Sequence, residues 1–331
     1  MEHRPGLDPA TAQVRLAVRR ALSDVRPGAV VVALSGGADS LALAAATAFE
    51  APKRGCTLIS VTVDHGLQPG SAEVAETAAR QAEDLGFDAR VERVAVDGGG
   101  GPEAAARDAR HEALQRVARD ADAAAILVGH TLDDQAETVL LGLARGSGAA
   151  SLQGMAAVSH LGGIPLLRPL LGVARATTRA ACTAEGLQPW DDPQNADPAF
   201  ARVRVRETVL PVLEAELGPG IAEALARTAD QLREDAEAFA EMIDETIEDI
   251  VEHAEAGISV SIAALAANPA ALRHRIIRHV VASEFGQSLT RTQTLEVARL
   301  VTDWSGQGPI DLPGCRARRT SGRIEFSAAG P

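Results

Sequence analysis

Lysine is almost absent from this chain of 331 residues: Lys53 is the only one, and arginine supplies the other 31 basic side chains. A Walker phosphate loop needs Gly-Lys-Ser/Thr, so that route to nucleotide binding is closed. Tyrosine is missing and aromatic residues make up only 2% of the chain, which excludes single-strand binding by rows of stacked aromatics. Cysteine occurs three times, at Cys56, Cys182 and Cys315, with spacings above 100 residues. That odd, scattered set gives neither a disulfide framework nor a Cys-x-x-Cys metal or sulfur-carrier pair. No apolar run nears the roughly 18 residues of a membrane span; Ala29–Leu34 and Ala123–Val128 are of core-strand length. Glu2, His3, Arg4 and Asp8 are not followed by the apolar stretch of a secretory signal. These absences predict a cytoplasmic protein with no membrane partner.

What is present is the balance of an ordinary folded protein, 46% hydrophobic and 23% charged, of a length suited to about two domains. The net charge of −13 is unevenly spread. Between Glu214 and Glu255 there are 14 acidic and 2 basic residues, whereas from Arg273 to Pro331 there are 9 arginines against 5 acids. Arg202, Arg204 and Arg206 add a short basic cluster upstream. Electrostatic fields follow local charge, so a basic C-terminal third is compatible with phosphate binding; a solvated acidic helix beside a solvated basic module would give the same counts.

The first half alternates strand and helix. Ala29–Leu34, Thr57–Val63, Ala89–Val96 and Ala123–Val128 read as strands. Asp39 to Phe49, Ser71–Leu85 with Ser71 as N-cap, Pro102 to Arg119 after the Gly98–Gly101 run, and Leu132 to Ala144 read as helices. This alternation predicts a doubly wound parallel sheet with its site at the carboxyl ends of the strands. Gly146–Pro169 reads as irregular, Arg175–Glu185 as a short helix and Trp190–Pro198 as a polar turn. Helices are expected over Arg204–Leu217, Ile221–Glu255, Ala270–Phe285 and Thr290–Trp304, and a hairpin over Ile310–Phe326, with a domain boundary near Leu210–Gly220.

The sharpest feature is Ser35-Gly36-Gly37-Ala38-Asp39-Ser40, between the first strand and the first helix. Two glycines permit a tight turn and close backbone approach, and the helix start aims free N–H groups at an anion. Asp39 can hold a Mg²⁺ ion bridging phosphate oxygens, and Ser35 and Ser40 supply hydroxyls. Asp64-His65-Gly66-Leu67 closes the second strand, which brings Asp64 and His65 to the same mouth. Gly129-His130-Thr131-Leu132-Asp133-Asp134-Gln135-Ala136-Glu137-Thr138 closes the fourth strand and opens its helix. Asp134 and Glu137 are three apart on one helix face, a pair suited to a metal or a cationic amine. Acids in a first helical turn also simply complement the helix dipole; their convergence with the glycine loop favours the functional reading.

The Ser35–Ser40 pattern resembles the PP-loop of the N-type ATP pyrophosphatases, which cleave ATP to AMP and pyrophosphate. With the Asp64–Leu67 and Gly129–Thr138 blocks, the chain is similar to the tRNA(Ile)-lysidine synthetases. Glu103, Arg107 and Arg110 match that family's Glu-x-x-x-Arg-x-x-Arg helix, with His111 in place of its usual Tyr. Arg145-Gly146-Ser147-Gly148, Arg168-Pro169-Leu170-Leu171 and Trp190-Asp191-Asp192-Pro193 resemble further blocks. Phe200 to Arg206, ending at Leu210-Pro211, resembles an Arg-Asn-x-x-Arg block with Val203 replacing the Asn.

The resemblance implies an adenine-nucleotide alpha hydrolase-like, Rossmann-like catalytic domain over residues 1–210. A helical linker and a small α+β tRNA-recognition domain would fill 211–331. It implies a ligase that uses ATP and Mg²⁺ to join free L-lysine to the wobble cytidine of the CAU-anticodon isoleucine tRNA, and a homodimer. ATP would be held by Ser35, Gly36, Gly37, Ala38, Asp39, Ser40, Asp64, His65, Gly129 and His130. Asp39, Arg107 and Arg110 would be catalytic. Asp134 and Glu137 would bind lysine, Asp39 and Asp134 the metal, and Arg202, Arg204 and Arg206 the tRNA. The rivals are a tRNA-thiolating relative, which normally carries cysteine pairs, and a non-catalytic ATP-binding regulator.

Overall fold

The computed structural model describes residues 6–66, 70–94, 102–146, 148–254 and 257–329, and for 102–104 and 253–254 the backbone alone. Leu67, the Gly98–Gly101 run, Val96, Ser147, the Glu103 side chain, Glu255 and residues 1–5 lie outside what is described. Two compact units are present, 1–232 and 233–331.

The first unit runs α1 (Pro9–Ala21), β1 (Ala29–Ala33), α2 (Ala38–Glu50), β2 (Thr57–Asp64), α3 (Ser71–Asp84), β3 (Asp88–Arg93), α4 (Pro102–Asp120), β4 (Ala125–Leu127), α5 (Leu132–Ala144), α6 (Ala149–Leu152), β5 (Val158–Leu161), β6 (Ile164–Leu167), α7 (Arg175–Ala184), α8 (Ala201–Arg204) and α9 (Leu210–Leu217). Its strand order is β3-β2-β1-β4-β6-β5, parallel throughout except for the β5–β6 pair. Valines at 30, 31 and 32 are fully buried because both faces of β1 are covered. Val30, Val32 and Leu34 pack with α1, α2, α3 and α7, while Val31 packs with Ile59, Val61 and the α4 residues Leu114 and Val117. The alanines of α2 let it lie close on the sheet; Ala42, Ala44, Ala45 and Ala46 are all buried. At its far end the Phe49 ring sits between the Arg15 guanidinium, at 3.8 Å, and the Lys53 ammonium, at 3.3 Å. Lys53 also pairs with Glu50 at 3.3 Å.

Strand order reverses between β1 and β4, because β2 and β3 lie on one side of β1 and β6 and β5 lie beyond β4. The crevice outside the carboxyl ends of these two strands is where doubly wound sheets bind ligands. The Ser35–Ser40 loop leaves β1 there, and the Gly129–Asp134 segment leaves β4 there.

Several sequence expectations are corrected. The segment from Gly146 to Pro169 is not irregular throughout: β5 and β6 form a hairpin whose turn residues, Gly162 and Gly163, take φ +58° and +85°. Two consecutive positive φ values suit a tight hairpin turn and select glycine. Ser71 is the first residue of α3 rather than its cap; Gly70 holds that place, and the Ser71 hydroxyl serves Asp64 instead. The helix from Arg204 to Leu217 is interrupted by a π turn over Val205–Val209. Pro211 follows, and its missing N–H breaks the regular ladder at that point.

The helix from Ile221 ends at Ile250, not Glu255, and makes up α10 (Ile221–Ile250), its first residues in the first unit and the rest in the second. The second unit continues with β7 (Val251–Ala254), β8 (Gly257–Ser261), α11 (Ile262–Ala267), α12 (Ala270–Phe285), α13 (Arg291–Thr302), β9 (Ile310–Leu312), β10 (Cys315–Thr320) and β11 (Arg323–Ala328). The expected hairpin is therefore part of a five-stranded antiparallel sheet, β7-β8-β11-β10-β9. Its core joins Val260, Ile276, Val280, Leu300, Ala317 and Phe326.

Gly257 has φ +153°, and a Cβ there would lie 2.1 Å from the Phe326 carbonyl oxygen. Gly257→Ala should cost the second unit about 3 kcal/mol through overpacking against backbone. A lower urea midpoint would show it, and an unchanged midpoint would deny the close approach.

Candidate active site

The loop after β1 is organised by its own hydroxyls. Ser40 Oγ donates to the Gly37 carbonyl at 2.9 Å and accepts the Ser35 N–H at 3.1 Å. The Ser35 and Ser40 hydroxyls lie 3.2 Å apart. Gly36 takes φ +80°, and its carbonyl accepts the Trp190 N–H at 2.9 Å, so the Trp190 segment is fastened onto the loop. Gly37 caps α2 with no side-chain partner, which leaves the N–H groups of the first turn, at Ala38 and Asp39, without a side-chain cap at the helix end where an anion is favoured. Opposite, a Cβ on Gly129 would meet the Asp39 carbonyl carbon and the Ser40 nitrogen at 3.1 Å. The two loops of the crevice therefore touch backbone to backbone, and only glycine at 129 allows it.

Three carboxylates converge on this crevice. Asp39 accepts a hydrogen bond from the fully buried Thr178 hydroxyl and pairs with Arg175 Nε at 3.5 Å. Burial pushes its pKa up, with the Asp134 charge adding to the rise, while Thr178 and Arg175 hold it back. Asp134 accepts the Thr131 N–H at 2.8 Å, the Thr131 hydroxyl at 2.9 Å and Arg175 Nη2 at 2.9 Å. Glu137 has no solvent exposure. Its Oε1 accepts from Arg206 Nε at 2.7 Å and Arg175 Nη1 at 3.3 Å, and its Oε2 from Arg202 Nε at 2.9 Å and Arg206 Nη2 at 3.1 Å. Each oxygen thus takes two donors, the full capacity of a carboxylate.

Arg202 and Arg206 are turned inward to Glu137, with Arg202 also reaching the Thr138 hydroxyl at 2.7 Å. Arg204 is exposed and donates to the Pro198 and Ala199 carbonyls at 2.6 and 2.8 Å. Val203, which stands in place of an Asn, is buried. Asp64 is buried and held below the usual carboxylate range by the Ser71 hydroxyl and the Gly66 N–H, the latter at 2.9 Å. Gln135 clamps Met155 through both backbone groups, at 2.7 and 2.8 Å, and so orders the segment after α6.

His130 and His65 each leave a buried Nδ1 without a hydrogen-bond partner. Burial drives His130 down to about 4, with Arg168, Arg202 and Arg110 adding to the fall against the opposing pull of Asp134. Burial also lowers His65, assisted by Arg110. Arg110 acts on both histidines, which places it toward the same mouth, and Arg107 and Arg110 are exposed on α4.

Two residues of α7 escape the sequence reading, Arg175 and Thr178. A cation in the first turn of a helix opposes the helix dipole, and that is the signal that Arg175 answers to carboxylates from elsewhere in the fold.

A PP-loop domain family matches residues 10–213, and a TilS substrate binding domain family matches residues 261–325. A tRNA(Ile)-lysidine synthase of Leifsonia xyli subsp. xyli is 60% identical over 303 residues, 91% of this chain and 90% of that protein. The chain belongs to the tRNA(Ile)-lysidine synthase family. A synthase of that name from Thermobifida fusca is 51% identical across 98% of this chain and 99% of its own length. A fold is shared, over 68% of this chain and 79% of the other, with a U34-tRNA thiolase of Methanococcus maripaludis solved with its [4Fe-4S] cluster, at TM-score 0.58 and 21% identity.

Because Glu137 is a buried charge with four donors, removing its charge strands three guanidinia. Glu137→Gln should destabilise the first unit by about 3 kcal/mol with no ligand present; unaltered urea stability would restrict Glu137 to ligand binding. His130 makes a separate prediction. The unfolded chain takes up a proton near pH 6.5 that folded His130 refuses until about 4, so stability should fall as pH drops through that interval. His130→Asn should make the melting temperature fall less between pH 7 and 5; His65 and His111, also lowered by burial, keep some slope. An unchanged slope would mean that His130 is accessible to protons.

Proposed function

We propose that this chain joins L-lysine to C2 of the wobble cytidine, position 34, of the CAU-anticodon isoleucine tRNA, through an adenylated cytidine, changing codon reading from AUG to AUA. The supporting observation is the meeting of the Ser35–Ser40 loop with Asp39, Asp134 and Glu137 at the strand-order reversal. The chain around that site belongs to the synthase family over most of its length.

Ser35, Gly36, Gly37, Ala38 and Ser40 offer N–H groups and hydroxyls to the ATP phosphates, with Asp64, His65, Gly129 and His130 bordering the mouth. Mg²⁺ fits this setting. Burial, with a smaller contribution from the Asp134 charge, raises the Asp39 pKa, so a cation there would be welcome, and Mg²⁺ commonly uses one or two carboxylates plus substrate phosphates rather than a protein cage. Asp39 and Asp134 would hold it. When bound, it neutralises charge on the reacting phosphate.

The cytidine leaves the anticodon stack to reach the crevice. Its O2 attacks the α-phosphorus, and pyrophosphate departs with the electron pair of the broken P–O bond. Arg107 and Arg110 offset the charge that builds up. The lysine ε-amine, as free base, then attacks C2; AMP leaves with the C2–O electron pair and the nitrogen releases a proton.

Asp134 and Glu137 are the carboxylates that would receive the lysine ammonium. Glu137 is saturated, so the ammonium approaches at Asp134 Oδ1, where Arg206 stands off at 3.7 Å. A neutral His130 adds no like charge beside it. Of the three arginines expected on tRNA, Arg204 is the one facing solvent, while Arg202 and Arg206 serve the carboxylates. Thiolation is disfavoured by the thiols: Cys56 and Cys182 are buried and unpaired, and burial raises Cys182 to about 11.

The test incubates the protein with ATP, Mg²⁺, labelled lysine and the tRNA transcript, followed by mass spectrometry of the nucleosides. Lysine-bearing cytidine should form with the wild type and not with Asp39→Ala. Tight ATP binding with no tRNA-dependent pyrophosphate release would replace the proposal with a nucleotide-binding regulator.

A further inference from the structure

Arg175 stands in the crevice with each guanidinium nitrogen on a different carboxylate. Nε lies 3.5 Å from Asp39 Oδ2, Nη2 2.9 Å from Asp134 Oδ1 and Nη1 3.3 Å from Glu137 Oε1. Burial works against its charge, and Asp134, Glu137, Asp39 and Asp133 outweigh that and raise its pKa. One side chain thus joins the acid of the phosphate loop to the two acids of α5.

The other partners of these acids are divided unevenly between their oxygens. On Asp39 the Thr178 hydroxyl donates to Oδ1, and Oδ2 has Arg175 alone among the described residues. On Asp134 the Thr131 N–H and hydroxyl both donate to Oδ2, at 2.8 and 2.9 Å. Its Oδ1 has Arg175, with Arg206 farther off at 3.7 Å. Glu137 is different, because without Arg175 it would keep one bond from Arg202 and two from Arg206. Withdrawing the Arg175 fork therefore uncovers Asp39 Oδ2 and Asp134 Oδ1 and little else. These belong to the acids that would hold Mg²⁺ and receive the lysine ammonium.

Such a withdrawal needs no backbone movement. The Arg175 N–H is fixed to Asp133 Oδ2 at 2.8 Å, and the Arg175 carbonyl accepts the Thr178 hydroxyl at 2.8 Å. Only the side chain has to turn. It lies beside the phosphate loop, since Asp39 is in the first turn of α2. A triphosphate bound there offers an arginine fork paired oxygens carrying more charge than a single carboxylate. The incoming cations then replace the charge that the fork takes away from the acids.

Building on the ATP and lysine reading above, we infer that Arg175 is a positioning residue that covers Asp39 Oδ2 and Asp134 Oδ1 until ATP draws its guanidinium onto the phosphates, so that lysine binds after ATP. A ligand that favours one of two arrangements of a shared group strengthens any second ligand that favours the same arrangement, and the effect is reciprocal.

The experiment measures equilibrium binding of labelled L-lysine to the full chain without tRNA, with and without α,β-methylene ATP and Mg²⁺. In the wild type the nucleotide should tighten lysine binding by about tenfold, and lysine should tighten nucleotide binding by the same factor. In Arg175→Gln, lysine should bind without nucleotide about as tightly as it binds the nucleotide-loaded wild type, and the linkage should vanish. A purely structural Arg175 predicts the opposite, weaker lysine binding in both conditions, and that result would overturn the inference. Arg175→Lys keeps the charge but has one ammonium for three carboxylates, so its nucleotide effect should fall to about threefold; an undiminished effect would count against the fork. Arg179→Gln, an exposed cation of α7 paired with Asp191, should keep the wild-type linkage, and its loss there would remove the special role of Arg175. A wild type that makes lysidine but binds lysine equally with and without the nucleotide, or not at all before tRNA, would overturn the inference alone. A wild type that neither binds lysine nor makes lysidine would overturn the enzymatic reading, and the role of Arg175 with it.

Discussion

A carboxylate shut away from water survives in a folded protein only when its lone pairs are filled, and Glu137 is such a group. Its four donors come from three arginines on two separate segments, α7 and the stretch from α8 into the π turn. Those segments are more than 20 residues apart in sequence, and neither has a local reason to meet the first turn of α5. Desolvating the charges costs several kcal/mol per ion, and only the complete set of contacts offsets that cost. Wherever α5 begins, α7 and the arginine stretch must follow, and α5 begins at the carboxyl end of β4, beside the phosphate loop.

The same contacts set the charge of the site. Asp39, Asp134 and Glu137 are matched by Arg175, Arg202 and Arg206, so the crevice is close to neutral before any ligand enters. A neutral, tightly bonded site changes little in shape when ATP brings negative charge and lysine brings positive charge, and rigidity of this kind keeps reacting groups aligned. Thr178 and Trp190 extend that rigidity to the loop, one through the Asp39 carboxylate and the other through the Gly36 carbonyl.

The parts legible in the sequence were those encoded locally. The Ser35–Ser40 turn, the shared face of Asp134 and Glu137, and the strand–helix alternation follow from glycine, from three-residue spacing and from apolar runs. The Gly162–Gly163 turn was equally local, but the strands beside it are only four residues long and one carries Pro165, which masked a hairpin within a glycine-rich stretch. The direction of Arg202 and Arg206 was not legible: a basic cluster reads the same in sequence whether it faces solvent or a carboxylate on another helix. Arg175 and Thr178 were missed for the same reason, since their partners are 38 to 139 residues away. The end of α10 was misplaced because Val251–Ala254 continues the helical composition, and pairing with β8 overrides that propensity.

The clasp on Lys53 has a practical side. Its ammonium, about half exposed, is held between the Phe49 ring and the Glu50 carboxylate, and it is the only side-chain amine on the surface. Amine-directed reagents therefore meet a single side-chain address, at the end of α2 away from the phosphate loop. A fluorophore coupled there would sit in the short turn that follows the helix whose first turn carries Asp39, giving an optical report from one defined side-chain position.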